Sequence, residues 1–309
     1  MRRFSGLDIP DDARGAVAAM GNFDGVHLGH RAVIDRARGI AAESGAPLAV
    51  ATFEPHPRSL FAPDSPPFRL MTPDTRARRL DGLGVDLLYE IPFDKDLAAL
   101  APETFARDVL TDALGVRHVV VGGDFRFGAK RVGDANTLTD LGRTQGFDVM
   151  IAPMVELPGG EVSSTRIRAA LSDGRPEDAA RMLGHLHRIE GTVIHGAKRG
   201  RTLGFPTANM ALDGLHLPAF GVYAVRADIL TGPHAGRHLG AASLGVRPQY
   251  GGDVPNLETF LLDFDGDLYG ARLSVGLAHY IRPELTFDSR DAFVVRMHAD
   301  VAEARRRLA

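Results

Sequence analysis

Two histidines three apart, His27 and His30, close a glycine-rich stretch, Gly21-Asn22-Phe23-Asp24-Gly25-Val26-His27-Leu28-Gly29-His30. An apolar run, Ala16 to Met20, precedes it, and a helical pattern from Arg31 to Ala42 follows. The order reads as strand, turn and helix start. Backbone N–H groups in such a turn, together with the helix dipole, suit a phosphate. Residues three apart share a face on a first helical turn, so the two imidazoles address one ligand. Gly29 lets that ligand approach the backbone with no Cβ in the way. Paired imidazoles at such a place can donate hydrogen bonds to a phosphate that gains charge in a transition state, with no covalent intermediate. Zinc is the weaker reading, because neither a cysteine nor an evident third ligand accompanies the pair.

A second chemical stretch is Gly196-Ala197-Lys198-Arg199-Gly200-Arg201-Thr202-Leu203-Gly204-Phe205-Pro206-Thr207-Ala208-Asn209. Its closely spaced glycines and basic residues fit an anion-binding loop, or a plain basic surface turn. The Gly-x₄-Gly-Lys-Ser/Thr phosphate loop is absent, so this is not an ordinary P-loop kinase. Thr207 and Asn209, two apart on an extended segment, point to one side. A hydroxyl and an amide oxygen there can ligate Mg²⁺, a hard cation that favours oxygen.

Three further loops carry reactive side chains: Glu54-Pro55-His56-Pro57-Arg58, then Gly122 to Gly128 with Asp124-Phe125-Arg126-Phe127, then Ser163-Ser164-Thr165-Arg166-Ile167-Arg168. The last is either a helix cap or a second anion site. The Asp124–Phe127 segment is either a hairpin with one packed Phe or a wall that stacks on a planar ring.

The elements that must position these residues change character midway. Apolar runs predict buried strands at Ala16–Met20, Leu48–Phe53, Leu87–Ile91, His118–Val121 and Val149–Ala152. Helical patterns lie between them, near His30–Ser44, Thr72–Leu83, Pro102–Leu114 and Leu138–Gln145. Such alternation predicts a parallel sheet covered on both faces, with ligands at the carboxyl ends of its strands. Helical signal then runs from Ser164 to Leu183. From Ile189 onward, short alternating runs predict an antiparallel barrel, with strands at Ile189–Ile194, Gly221–Leu230, Leu239–Gly245, Glu258–Asp263 and Ala271–Ile281. A helix from about Arg290 to Leu308 closes the chain. The expected division is 1–184 and 185–309.

Composition bounds the rest. A chain of 309 residues, 44% hydrophobic and 24% charged, is ordinary for a soluble protein of about two domains. The net charge of −3 gives no global positive field for nucleic acid. No run approaches the roughly 18 apolar residues of a membrane span. Cysteine is absent, which excludes disulfides, thiolate metal sites and a cysteine nucleophile. With a polar start and no secretory pattern, a cytoplasmic location is expected.

The His27-x-Gly29-His30 turn is similar to the nucleotidyltransferase signature. Gly21–His30, Glu54–Arg58, Gly123–Asp134 and Ser163–Arg168 occur in the order of the FMN adenylyltransferase module of bacterial bifunctional riboflavin kinase/FAD synthetases. The second half resembles riboflavin kinase through Gly204–Asn209, Pro218, Gly221-Val222-Tyr223, Leu257-Glu258-Thr259, Leu262-Asp263-Phe264 and Gly266–Gly270. It departs at Ser243–Gln249 and at His195. The resemblance implies an N-terminal Rossmann-like nucleotidyltransferase domain and a C-terminal riboflavin-kinase-like antiparallel β-barrel with a final helix.

It implies that His27 and His30 hold ATP phosphates, helped by Gly21, Asn22, Asp24, Gly29, Ser164, Thr165, Arg166 and Arg168. His56, Pro57, Arg58, Asp124, Phe125, Arg126 and Phe127 would line the nucleotide or flavin. In the barrel, Gly196, Lys198, Gly200, Gly204, Phe205, Pro206 and Tyr223 would surround Mg²⁺-nucleotide bound at Thr207 and Asn209. Glu258 would be the base for the ribityl 5′-hydroxyl; read without the resemblance, it is a cross-strand charge. The implied substrates are riboflavin, FMN and ATP, with no tightly bound redox cofactor. An adenylyltransferase for another acceptor and a flavin-binding regulator without chemistry are the rival readings.

Overall fold

The structure, a computed structural model, describes residues 1–195, 204–212, 214–247 and 254–309. The chain divides into two compact units. One gathers Met1–Ser65 and Pro73–Ser163; the other gathers Pro66–Thr72 and Ser164–Ala309.

The first unit is built on six parallel strands: β1 (Arg2–Ser5), β2 (Val17–Met20), β3 (Leu48–Glu54), β4 (Leu87–Pro92), β5 (His118–Gly122) and β6 (Asp148–Ala152). They lie in the order β1-β4-β3-β2-β5-β6. Val17, Ala18, Ala19 and Met20 of β2 are all buried, as a strand covered on both faces requires. The sequence predicts five of these strands and not β1. Arg2-Arg3-Phe4-Ser5 lacks an apolar run because Arg3 and Ser5 reach the Glu90 carboxylate of β4 instead of a greasy core.

The helices are α1 (Leu28–Ser44), α2 (Pro57–Phe61), α3 (Pro73–Asp81), α4 (Lys95–Ala99), α5 (Pro102–Thr104, running on into a π-helical stretch over Phe105–Ala113) and α6 (Ala135–Gln145). Gly45 ends α1 in the left-handed conformation at φ 64°. α6 starts where the Asp134 carboxylate accepts from the Thr137 N–H at 2.8 Å. α2 and α4 are five residues each, too short to show a helical period in the sequence. From β2, the next strands run outward through β3 and β4 on one side, while β5 and β6 lie on the other. The loop after β2 therefore sits at the switch point of the sheet, where ligands bind in such folds.

The second unit opens with α7 (Ser164–Ser172) and α8 (Pro176–Leu183). The continuous helical signal over 164–183 is two helices, because Gly174 turns at φ 68° and Pro176 restarts the helix at its first turn. Antiparallel strands follow: β7 (His187–Thr192), β8 (Ala208–Ala211), β9 (Gly221–Ile229), β10 (Gly236–Arg247), β11 (Val254–Leu261) and β12 (Arg272–Arg282). Their order is β7-β12-β9-β10-β11-β8, and an Ile194–Asn209 bridge brings the two ends together into a nearly closed barrel. Ile189, Met210, Tyr223, Val225, Leu257, Val275 and Leu277 fill its interior. α9 (Arg290–Leu308) packs Ala304 and Leu308 on Ala224, Ala241 and Ala278. Arg282 of β12 ties it down through Asp300, at 2.6 Å. Pro66–Thr72 joins this unit through an Arg69–Leu215 bridge and the Arg168 Nε–H donating to the Phe68 carbonyl at 2.6 Å.

His187, at the start of β7, is buried with Nε2 unpartnered among the described residues. Burial, then the neighbouring His216 and His185, push its pKa down to about 3. Unfolded, the same imidazole titrates near 6.5. Above that value both states are neutral and His187 adds no pH dependence. As the pH falls from 6.5 towards 3, the unfolded state takes up a proton that the folded state refuses, so stability drops by up to about 1.4 kcal/mol per pH unit. Denaturant unfolding of His187→Leu between pH 7.5 and 4 should show a pH slope shallower than wild type by about that amount, and equal slopes would count against it.

Candidate active sites

The chain leaves β2 through a tight turn at the carboxyl edge of the first unit's sheet. The Gly21 N–H donates to the Ala51 carbonyl, and the Thr52 hydroxyl donates to the Asn22 carbonyl at 3.2 Å. Phe23, Gly25 and Val26 have φ of 49°, 92° and 42°, in the left-handed region. Phe23 and Val26 are also buried, so packing holds these unfavourable conformations. His27 caps α1: its Nδ1 accepts from the His30 N–H at 3.3 Å. That bond puts the proton of the His27 ring on Nε2.

The two imidazoles stack with centroids 3.6 Å apart and planes 16° off parallel. Burial, and then His27, push the His30 pKa well below its usual value. His30 is therefore neutral at physiological pH. A Cβ on Gly29 would lie 3.1 Å from the His27 ring, so a side chain there would press on the stack. The expectation that His27 and His30 share one face is met.

Other expected residues of this unit flank the turn. Glu54 ends β3, and the His56 Nδ1 accepts from the Arg58 N–H at 3.1 Å to cap α2. Arg126-Phe127 pairs with Gly133-Asp134 as a small hairpin. Phe127 is buried against Phe105, while Phe125 stacks on Phe127 at 5.7 Å and stays partly exposed. The sequence reading did not single out Phe61 of α2, which is 68% exposed and meets Phe93 edge-on at 5.8 Å. Phe93 in turn meets Phe53 of β3. A large exposed ring beside a Pro-His-Pro loop was the signal available.

Beneath the β3 loop lies a buried ionic network. The Arg76 guanidinium of α3 donates to Glu54 at 3.0 Å and to Glu90 at 2.9 Å, and Arg3 holds Glu90 at 2.7 Å. Arg76 and Glu90 are almost wholly buried. Ser164, Thr165, Arg166 and Arg168 belong to the second unit, where the Arg168 guanidinium also lies over the Phe68 ring.

In the barrel, Gly204 turns at φ 83°, and Phe205 is buried between Phe260 and His298. Gly196, Lys198 and Gly200 lie outside the described residues, as do Pro248 and Gln249. Thr207, just before β8, meets Glu258 of β11: the Thr207 hydroxyl donates to the Glu258 carboxylate at 3.3 Å. Asn209 pairs with Glu258 in the ladder register, and its Nδ2 donates to the Thr207 carbonyl at 3.1 Å. Met210 and Leu257 fill the barrel, so Asn209 and Glu258, alternating with them, face outward. Thr207, Asn209 and Glu258 present oxygen donors from adjacent strands, the chemistry a hard divalent cation needs. Tyr223 is a fully buried core residue whose hydroxyl donates to the Ala219 carbonyl, so it reaches a ligand only through its neighbours.

A phosphate-type turn at the switch point of an α/β sheet, joined in one chain to an oxygen-donor site on a barrel, defines a two-module nucleotide-dependent transferase. The FAD synthetase family matches residues 9–166, and the riboflavin kinase family matches residues 183–308. The bifunctional riboflavin kinase/FMN adenylyltransferase of Pseudomonas fluorescens is 45% identical over 299 residues, 96% of this chain and 94% of that protein. Its namesake in Escherichia coli K12 is 40% identical over 291 residues, 94% of this chain and 92% of that protein. A crystal structure described as a macrolide-efflux protein from Streptococcus pneumoniae superposes with a TM-score of 0.87, at 32% identity and 99% coverage of both chains. Among the described residues no helix is long and apolar enough to cross a membrane. The chain belongs to the bifunctional riboflavin kinase/FMN adenylyltransferase family.

Removing one partner from a buried ion network typically costs about 3–5 kcal/mol, because the remaining charges lose their counter-ion. Arg76→Leu should lower unfolding stability by that order in denaturant titrations. A loss below about 1 kcal/mol would show that Glu54 and Glu90 relax to solvent instead.

Proposed function

We infer that this chain makes FMN from riboflavin in its barrel and FAD from FMN at its parallel sheet, using ATP in both steps. The observation that carries the reading is the pair of separate sites, one of stacked neutral imidazoles on a helix start and one of paired oxygen donors beside a carboxylate. In the first step the ribityl 5′-hydroxyl oxygen attacks the γ-phosphorus of ATP, the bond to the β-phosphate oxygen breaks, and ADP leaves. Glu258 takes the hydroxyl proton. In the second step a phosphate oxygen of FMN attacks the α-phosphorus of ATP and pyrophosphate leaves. His27 and His30 donate hydrogen bonds to the phosphates as charge builds on the leaving group. For both steps, catalysis is chiefly positioning plus charge stabilisation.

Asn22, Gly21, Asp24 and Gly29 shape the phosphate turn in this reading. His56, Pro57, Arg58, Asp124, Phe125, Arg126 and Phe61 border the flavin or adenine ring. Thr207 and Asn209 hold Mg²⁺, with Glu258 beside them. The fit is chemical: every donor is an oxygen, and a hydroxyl that donates to a carboxylate keeps lone pairs for a cation. When bound, Mg²⁺ supplies positive charge to the ATP phosphates. Nucleic acid and membrane have no part in this reading, and the cytoplasm is the proposed location.

The modules are proposed to divide near 184–185, with α7 and α8 bracing the barrel. Glu177 of α8 lies 2.7 Å from His279 of β12, and the Ala219 N–H donates to the Leu171 carbonyl. A fragment over 164–309 should therefore melt at a higher temperature than one over 185–309, with both making FMN and neither making FAD. FAD from either fragment, or equal melting, would argue against this arrangement.

Paired substitutions test the assignment of the two steps. His30→Ala should slow FAD formation by about 10²–10³-fold while FMN accumulates at the wild-type initial rate. Glu258→Gln should slow riboflavin phosphorylation by about 10²–10⁴-fold and leave adenylation of supplied FMN unchanged. Chromatography of all three flavins over time gives both readings. A wild-type FAD rate in His30→Ala, or a wild-type kinase rate in Glu258→Gln, would remove that residue from its step.

A further inference from the structure

Asn256 of β11 is a buried polar residue that the proposed mechanism does not use. It stands two residues before Glu258 and pairs with Ala211 in the ladder, as Glu258 pairs with Asn209. Asn256 and Glu258 therefore emerge on the same face of β11, and Asn209 emerges beside them from β8. The Asn256 Nδ2 donates to the Asn209 Oδ1 at 3.2 Å. On its other side, the Asn209 Nδ2 donates to the Thr207 carbonyl at 3.1 Å. These two bonds fix the sense of the Asn209 amide. A flipped amide would set its oxygen against the Thr207 carbonyl oxygen and its nitrogen against the Asn256 donor, losing both bonds.

We propose that Asn256 is a positioning residue of the kinase site, which holds the Asn209 amide so that its oxygen faces the cation. An amide oxygen accepts twice, so the bond from Asn256 does not by itself use up its capacity. The bond that the Asn209 Nδ2 donates to the Thr207 carbonyl polarises the amide and makes its oxygen a better ligand, so the part played by Asn256 is orientation. Groups that orient a metal ligand in this way typically account for about 10–100-fold in metal affinity. The proposal rests on the reading of Thr207 and Asn209 as Mg²⁺ ligands.

The test is Mn²⁺ binding to the full chain in the presence of ADP, read from the electron paramagnetic resonance signal of free Mn²⁺. Asn209→Ala defines the class of site that belongs to the barrel. Asn256→Leu keeps the branching of the side chain and removes the donor. It should weaken that class about tenfold or more, and raise by a similar factor the Mg²⁺ concentration that half-saturates riboflavin phosphorylation. Should Asn256→Leu fail to fold, Asn256→Ser and Asn256→Ala are of nearly equal size and differ in the donor. The serine variant should then bind Mn²⁺ more tightly than the alanine variant. Unchanged Mn²⁺ affinity in Asn256→Leu, or equal affinity in the serine and alanine variants, with loss in Asn209→Ala overturns the role of Asn256 and leaves the metal reading standing. Unchanged affinity in Asn209→Ala as well overturns both.

Discussion

The first unit depends on one strained reversal, the passage from β2 into α1. Seven residues, Gly21 to His27, must turn the chain from the middle of a parallel sheet into a helix lying over it. They do so with Phe23, Gly25 and Val26 at positive φ. For a β-branched residue such as Val26 that conformation is a genuine outlier, of order 1–3 kcal/mol. Burial of both Phe23 and Val26, and the bonds that Asn22 and Gly21 make to β3, hold the turn in place. The result is a helix start with stacked imidazoles at the switch point of the sheet. A relaxed turn would lose the register that sets His27 under the His30 N–H.

The barrel solves the same problem by a different route. Asn209 and Glu258, proposed to act there, sit on the outer face of β8 and β11, and the inner face of those strands is the hydrophobic core. Period-two alternation separates the two jobs residue by residue. Met210 and Leu257 fix the strand pair from inside, so Asn209 and Glu258 are placed from outside with no loop to position them. Sites on strands are held more rigidly than sites on loops.

Much of this was legible in the sequence, and what was not has physical reasons. The parallel strands from β2 to β5 announce themselves because burial on both faces demands continuous apolar runs, whereas β6 keeps an apolar run as a largely exposed edge strand. β1 does not, since its side chains are satisfied by the Glu90 carboxylate and by solvent. The break at Gly174 was hidden by the helical pattern on either side of it. The histidine pair and the Thr207–Asn209 pair were legible because spacing alone places them. Tyr223 was read as a site residue, yet its side chain serves the core, a distinction that sequence type does not carry. Arg76 and Asn256 were invisible for the opposite reason. A lone Arg on a helix or a lone Asn on a strand gives no pattern, and its role exists only through partners 22 and 47 residues away along the chain.

The two sites also differ in how they handle charge. In the first unit His30 is held neutral by burial and by its neighbour, and the His27 ring keeps its proton on Nε2. In the proposed adenylyl transfer, two neutral donors stabilise developing phosphate charge without contributing a permanent positive field. A site of this kind binds the leaving pyrophosphate less tightly than a pair of cations would, which favours its release. In the barrel, the Glu258 carboxylate stands beside neutral oxygen donors. On the proposed reading ATP, itself an anion, approaches that carboxylate with a cation between the two. On that reading the neutral imidazoles and the oxygen cluster divide the work in opposite ways, one through fixed hydrogen bonds and the other through a divalent ion brought in with the nucleotide.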